Sequence, residues 1–264
     1  MTLLAHALAT ALYLFAAFLG WAHRNERGGF RGVSFVIAFA ALIHALGFYG
    51  LHLETPPVPL SSFPAALSLI GWLLALAWLA AMRRLHAREA GPWVGLLAAA
   101  FTLAAELGLQ LAAPEPSPST PQPVAWSHAH VLLGTSGFAL LALSSMAGLG
   151  YLAKERALKR RRGFALSLPA LESLDRGEHL TLALGFVLLT LGVATGFAWG
   201  VRQGLDPWTR HTFFLLIAWG LYLIPVGARV LRQQQGAWPA RGVVWSFAFL
   251  AFSYIGIRLL GAGA

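Results

Sequence analysis

The sequence predicts an all-α fold: a polytopic membrane bundle of about eight transmembrane helices, with N and C termini outside. Three observations carry that expectation. Of 264 residues, 58% are hydrophobic and only 11% charged, where a soluble domain is roughly a quarter charged; mean hydropathy is +0.66. Eight apolar runs approach the ~20 residues that cross a bilayer. Finally, 16 of the 19 Lys and Arg fall in alternate connectors, the asymmetry that marks cytoplasmic loops.

In chain order the runs cover about 3–22, 33–53, 65–82, 92–113, 128–152, 179–200, 211–230 and 242–261. The first, "TLLAHALATALYLFAAFLGW", has no basic start and no small-residue cleavage site, so it reads as a retained span rather than a signal peptide. The second carries His44 near mid-membrane, and the fourth carries Glu106. "PEPSPSTPQP" follows as a stiff external spacer between four spans and four. The fifth opens on "WSHAHVLLGTSG", and the sixth repeats small residues at Gly192, Gly196 and Gly200. The eighth holds Arg258. The connectors after runs one, three, five and seven carry the 16 basic residues; those after two, four and six carry two. The longest basic connector continues into the mildly amphipathic "FALSLPALESLD", read as a linker lying on anionic lipid. Trp21, Trp93, Trp126, Trp199, Trp208 and Trp238 fall near the interfaces, as an aromatic belt does. The expected division is residues 1–126, four spans with the spacer, and 127–264, a four-span core.

Composition also excludes. With no cysteine there is no disulfide framework, iron–sulfur ligation or thiolate zinc. The net charge of +9 does not indicate nucleic acid, because the basic residues cap apolar runs instead of lining a groove with stacking aromatics. No nucleophile or acid–base pair stands in a plausible site, so no enzyme is expected.

The remaining polar chemistry is imidazole. His6, His52, His128, His130 and His211 lie towards the outside, His44 in mid-membrane, and His23, His86 and His179 near the basic side. Imidazole without thiol suits zinc, copper and iron, including haem iron. His6 and His52 read as interfacial anchors. His44 reads as a ligand or a helix-to-helix hydrogen bond, since a buried ionisable group needs a partner. His128 and His130 are about 200° apart on a helix, so both cannot face the bundle. Gly134 and Gly137 lie beneath His130, leaving either a flat strip for a broad ligand or a close helix crossing. Between the sixth and seventh runs, Trp199, Asp206, Trp208 and His211 gather around a short external loop suited to a planar amphipathic ligand.

The segments "AHVLLGTSGFALLALSSMAGLGYL", "LPALESLDRGEHLTLALGFVLLTLGVATGFAWG", "DPWTRHTFFLLIAWGLYL" and "PARGVVWSFAFLAFSYIGIRLLGAGA" resemble the membrane-bound cytochrome c assembly proteins of the CcsA/HemX type, in particular the shorter eight-span inner-membrane members. "ALIHALGFYGLHLETPPVPLSSFPAALSLIGW" is similar to the same family more weakly. The resemblance implies a multi-pass protein of the bacterial inner (cytoplasmic) membrane that handles haem, with non-covalent haem b as cofactor. It implies apocytochrome c or other assembly proteins as partners besides the lipid bilayer. His130 matches the family's external axial ligand, His44 its intramembrane histidine, and Trp199, Asp206 and Pro207 parts of its Trp-rich segment. The Trp199–Asp206 loop is shorter than the family's and lacks its paired tryptophans. Gly227 stands where longer members carry a histidine, and the second external histidine of haem-attaching members has no counterpart before the last residue. The implied role is therefore accessory: holding or presenting haem near the outer face. His211 is the expected opposing ligand, although the family has no histidine there. A non-haem regulatory or scaffold protein is the alternative from another class, and a small transporter using Glu106 and His44 as a proton relay is a third.

Reporter fusions test the topology. A fusion within "KERALKRRRG" is expected to report the cytoplasm; a periplasmic signal there reverses every assignment of side.

Overall fold

The computed structural model describes residues 2–23, 29–54, 58–85, 87–111, 124–160, 168–202, 204 and 208–257. These residues form helices and no strand: α1 (Thr2–Ala22), α2 (Gly29–Leu53), α3 (Phe63–Ala81), α4 (Gly91–Leu111), α5 (Val124–Lys159), α6 (Leu171–Arg202), α7 (Arg210–Val226) and α8 (Ala237–Ala251). π-helical turns Gly227–Leu231 and Phe252–Gly256 continue α7 and α8. By length and composition, seven of the described helices qualify as membrane spans; α8, with 15 residues before its π turn, corresponds to the eighth apolar run. The all-helical polytopic bundle is thus the observed fold. The Pro-rich spacer, Asp206 and Arg258 lie outside the described residues.

Helix extent differs from expectation at the basic side. α5 runs on to Lys159 and α6 begins at Leu171, so "LESLD" is the first turn of a span and not a surface-lying linker. Glu172 and Asp175 suit the positive end of the helix dipole, and Leu174 is buried against Gly150. The charges of this turn also find partners, which is why the helix continues past the apolar run.

The chain divides into two compact units, Met1–Val131 with Leu166–Pro169, and Leu132–Ala165 with Ala170–Ala264. In the first, α1 packs on α2 and α4, and α3 on α4 and α2. The buried stripe of α1 includes Thr2, His6, Ala9, Tyr13, Ala16 and Gly20, alternating four and three residues apart, as a seam between helices requires. Glu106 of α4 is half-buried, without a hydrogen bond or ion pair to another described residue.

In the second unit, Pro225 inside α7 lacks the N–H that would bond four residues back. The freed Leu221 carbonyl accepts instead from Ser246 Oγ of α8 at 3.3 Å. Ser253, at the π turn of α8, likewise donates to Phe214 of α7 at 3.2 Å. Trp219 Nε1 donates to Thr190 Oγ1 at 2.9 Å, while its ring stacks on Phe186, joining α7 to α6.

The π turn after α7 buries Arg229, which is 1% exposed. Its Nε donates to Glu178 Oε1 at 3.0 Å, and Nη1 donates to Asp175 and, at 3.3 Å, to the Gln234 carbonyl. Nη2 lies 2.8 Å from Glu178 Oε2, off the ideal hydrogen-bonding line, and completes a side-on ion pair. Ser144 Oγ of α5 donates to the Glu178 carbonyl at 3.0 Å, so one cluster ties three elements together.

Removing one member of such a cluster leaves an uncompensated buried charge, at a cost of about 3–5 kcal/mol. Arg229→Ala is expected to lower the thermal unfolding midpoint in detergent, and adding Glu178→Gln and Asp175→Asn to recover part of the loss. Unchanged unfolding in the single variant would show that the cluster does not hold this end together.

Candidate functional site

Helices α1, α2 and α3 bring three polar side chains to one buried point. His44 of α2, His6 of α1 and Ser68 of α3 are each 0% exposed. Ser68 Oγ lies 2.7 Å from His44 Nε2 and 3.0 Å from His6 Nε2. The other nitrogen of His6 is 2.9 Å from the Thr2 carbonyl, one turn back on α1. The other nitrogen of His44 faces the Tyr13 hydroxyl at 3.5 Å. Phe48 stacks on the His44 ring at 5.2 Å with only 8° between planes, and His6 meets the same ring edge-on at 5.3 Å. Trp72 stands edge-on to Phe48 and donates its N–H to the Ala41 carbonyl at 2.9 Å. Gly47 makes the cluster sterically feasible: a Cβ there would come within 2.7 Å of the His6 ring.

The sequence reading of His6 as an interfacial anchor is therefore corrected. The signal was present: His6 lies on the same alternating stripe as Ala9, Tyr13 and Ala16. Ser68 carried no signal, since a serine in an apolar run is ordinary. Of the two readings open for His44, the hydrogen bond between helices is the one observed. As placed, the ring has Phe48 on one face and a partner at each nitrogen, and offers no open coordination position.

The outer candidates fall in different units. His128 and His130 are both half-buried on α5 in the first unit. In the second, Trp199 is half-buried near the end of α6, and Trp208 is exposed with its ring edge-on to Phe197 at 6.3 Å. His211, half-buried at the start of α7, lies 6.0 Å from Tyr254, which in turn lies 5.6 Å from Phe138 of α5. The described residues hold no group of three or more His, Asp or Glu able to bind a metal ion.

The glycine strip beneath His130 meets a neighbouring helix. A Cβ on Gly137 would stand 2.5 Å from the Leu189 amide nitrogen of α6, and one on Gly185 would stand 3.0 Å from Leu141. A Cβ on Gly192 would stand 2.8 Å from Gly134, although nothing lies within 4 Å of the Cβ position of Gly134 itself. These glycines let the α5 and α6 backbones touch, so the Gly137 face is taken by α6 and cannot carry a porphyrin here.

Comparison with known proteins agrees with this architecture. The family model described as cytochrome C assembly protein matches residues 33–264. A cytochrome c biogenesis protein CcsA of Prochlorococcus marinus (strain MIT 9303) is 27% identical over 267 aligned positions, covering 88% of this chain and 82% of that protein. One from Synechococcus sp. (strain CC9902) is 33% identical over 142 positions, covering 50% of this chain and 45% of that protein.

The helix crossing yields a paired test. Gly137→Ala and Gly192→Ala both drive a methyl into backbone and are expected to destabilise by about 1–3 kcal/mol. Gly134→Ala has room and is expected to be nearly neutral. Unfolding curves in detergent that rank Gly134→Ala as the most damaging would contradict this placement.

Proposed function

Because the chain belongs to the family of cytochrome c assembly proteins, we propose that it is an integral membrane haem-handling accessory protein, acting in cytochrome c assembly in a bacterial cytoplasmic membrane. The family match over residues 33–264 carries this reading. Haem b, held non-covalently, is the cargo; apocytochrome c or other membrane assembly proteins are the recipients.

The side chains fit that cargo unequally. His130 is a half-buried imidazole at the outer end of a span, and imidazole is a common axial ligand of haem iron. We assign it as the axial ligand at the outer face. Trp199 and Trp208 offer aromatic faces in the second unit and His211 a further imidazole, and Asp206, outside the described residues, is included by its place in the sequence alone. Gly137 takes no part in this assignment, its surface being covered by α6. His44 does not fit as an axial ligand in the arrangement observed, because its ring is enclosed and hydrogen-bonded. The chain's part is to bind, orient and release, without covalent chemistry of its own.

His130→Ala is compared with His128→Ala in membranes loaded with haem, with haem content read from the Soret absorbance at equal protein. Loss of most bound haem in the first alone is the expected result. Equal retention in both removes His130 from the site, and absence of a Soret band in the unsubstituted protein overturns the haem-handling reading.

A further inference from the structure

Hydrogen-bond chemistry fixes the direction of every link in the His6–Ser68–His44 cluster. A carbonyl oxygen only accepts, so the 2.9 Å contact to Thr2 requires a proton on His6 Nδ1. In a neutral imidazole, His6 Nε2 is then the lone-pair nitrogen, and at 3.0 Å it accepts from the Ser68 hydroxyl. With its one proton committed, Ser68 Oγ meets His44 as an acceptor, so His44 Nε2 carries the proton at 2.7 Å. His44 Nδ1 is left with the lone pair, which faces the Tyr13 hydroxyl at 3.5 Å. The reversed polarity would set the His6 Nδ1 lone pair against a carbonyl oxygen. A doubly protonated ring would place a charge in a site where no described carboxylate is hydrogen-bonded to the cluster, a costly arrangement inside a membrane.

We infer that Tyr13, His44, Ser68 and His6 form one directed, charge-neutral hydrogen-bond chain closed by the Thr2 carbonyl, and that this chain positions His44 as its Nε2–H tautomer, leaving Nδ1 as the only nitrogen it can offer to a ligand. Ser68 and His6 are positioning residues acting through His44. Tyr13 guards the remaining lone pair over the longest contact of the chain. Where it concerns haem, the inference rests on the function proposed above: iron approaching His44 meets either a protonated Nε2 tied to Ser68 or an Nδ1 opposed by Tyr13. The intramembrane histidine is thus closed to axial ligation until a helix of the cluster moves. The orientation of the chain itself stands whether or not haem binds.

Ligand-free protein labelled with 15N-histidine, reconstituted in lipid bilayers, gives a direct reading by solid-state NMR. Signals are assigned by their loss in His44→Gln and His6→Gln. The expected spectrum shows His44 protonated at Nε2 and bare at Nδ1, with His6 protonated at Nδ1 and bare at Nε2. A proton on His44 Nδ1, or on His6 Nε2, overturns the chain, and so does a doubly protonated form of either ring at neutral pH. Ser68→Ala removes the central hydroxyl and is expected to convert His44 from a single tautomer to a mixture, whereas Ser68→Thr keeps the hydroxyl and the single tautomer. A single unchanged tautomer in Ser68→Ala would deny Ser68 its positioning role, in a readout that loss of packing alone does not move. Haem loading is scored separately by Soret absorbance, so failure of the haem-handling reading and failure of this one are told apart.

Discussion

Inside a bilayer a polar group has no water to turn to, and every donor and acceptor must be met by the protein itself. That constraint organises both units. Some hydroxyls meet it locally: Thr102, Thr181 and Thr190 each donate to a carbonyl four residues back on their own helix. The groups that cannot do so become the ties between helices. Ser246 answers the carbonyl freed by Pro225, Trp219 reaches Thr190, and Ser68 stands between two histidines.

The two units resolve larger polar demands in different ways. The first uses neutral groups only, as a chain of single hydrogen bonds from Tyr13 to Thr2. The second uses full charges, with one guanidinium between two carboxylates at the end of α7 and the start of α6. The ionic solution sits beside the basic connectors, where the spans end, and the burial of Arg229 and Glu178 is offset by their mutual pairing. A neutral chain is the affordable form deeper in a span, where an unpaired charge is most costly.

Much of this was legible in the sequence. Run length and the uneven placement of Lys and Arg give the helices and their order, because both follow from bilayer thickness and from charge at the interface. The ends of α5 and α6 were not legible. A hydropathy window stops at the first charges, yet the helix continues when Asp175 and Glu178 find Arg229, a partner 54 and 51 residues away respectively. The stripe of α1 was legible in retrospect, since His6 and Tyr13 share it with small residues, but the identity of their partners was not. The glycines of α5 admitted two readings at the level of spacing. Only the backbone of α6 at Leu189 decides for Gly137, because a ligand groove and a helix crossing ask for the same small residues.

A histidine satisfied by its own helix would keep its hydrogen bonds however the bundle shifted. His44 is placed otherwise. Its partners come from α3 through Ser68 and from α1 through Tyr13, and Ser68 is in turn held by His6, which is anchored to the first turn of α1. Hydrogen bonds weaken steeply once stretched or bent, so a displacement of about an ångström between any two of these helices breaks a link. Breaking the Ser68 link releases the hold on the Nε2–H tautomer, and withdrawing Tyr13 exposes the Nδ1 lone pair. The chemistry that His44 can offer is therefore a readout of how α1, α2 and α3 sit against one another. In the packing observed, with Phe48 flat against the ring and Gly47 allowing His6 to close in, that readout is the shut state.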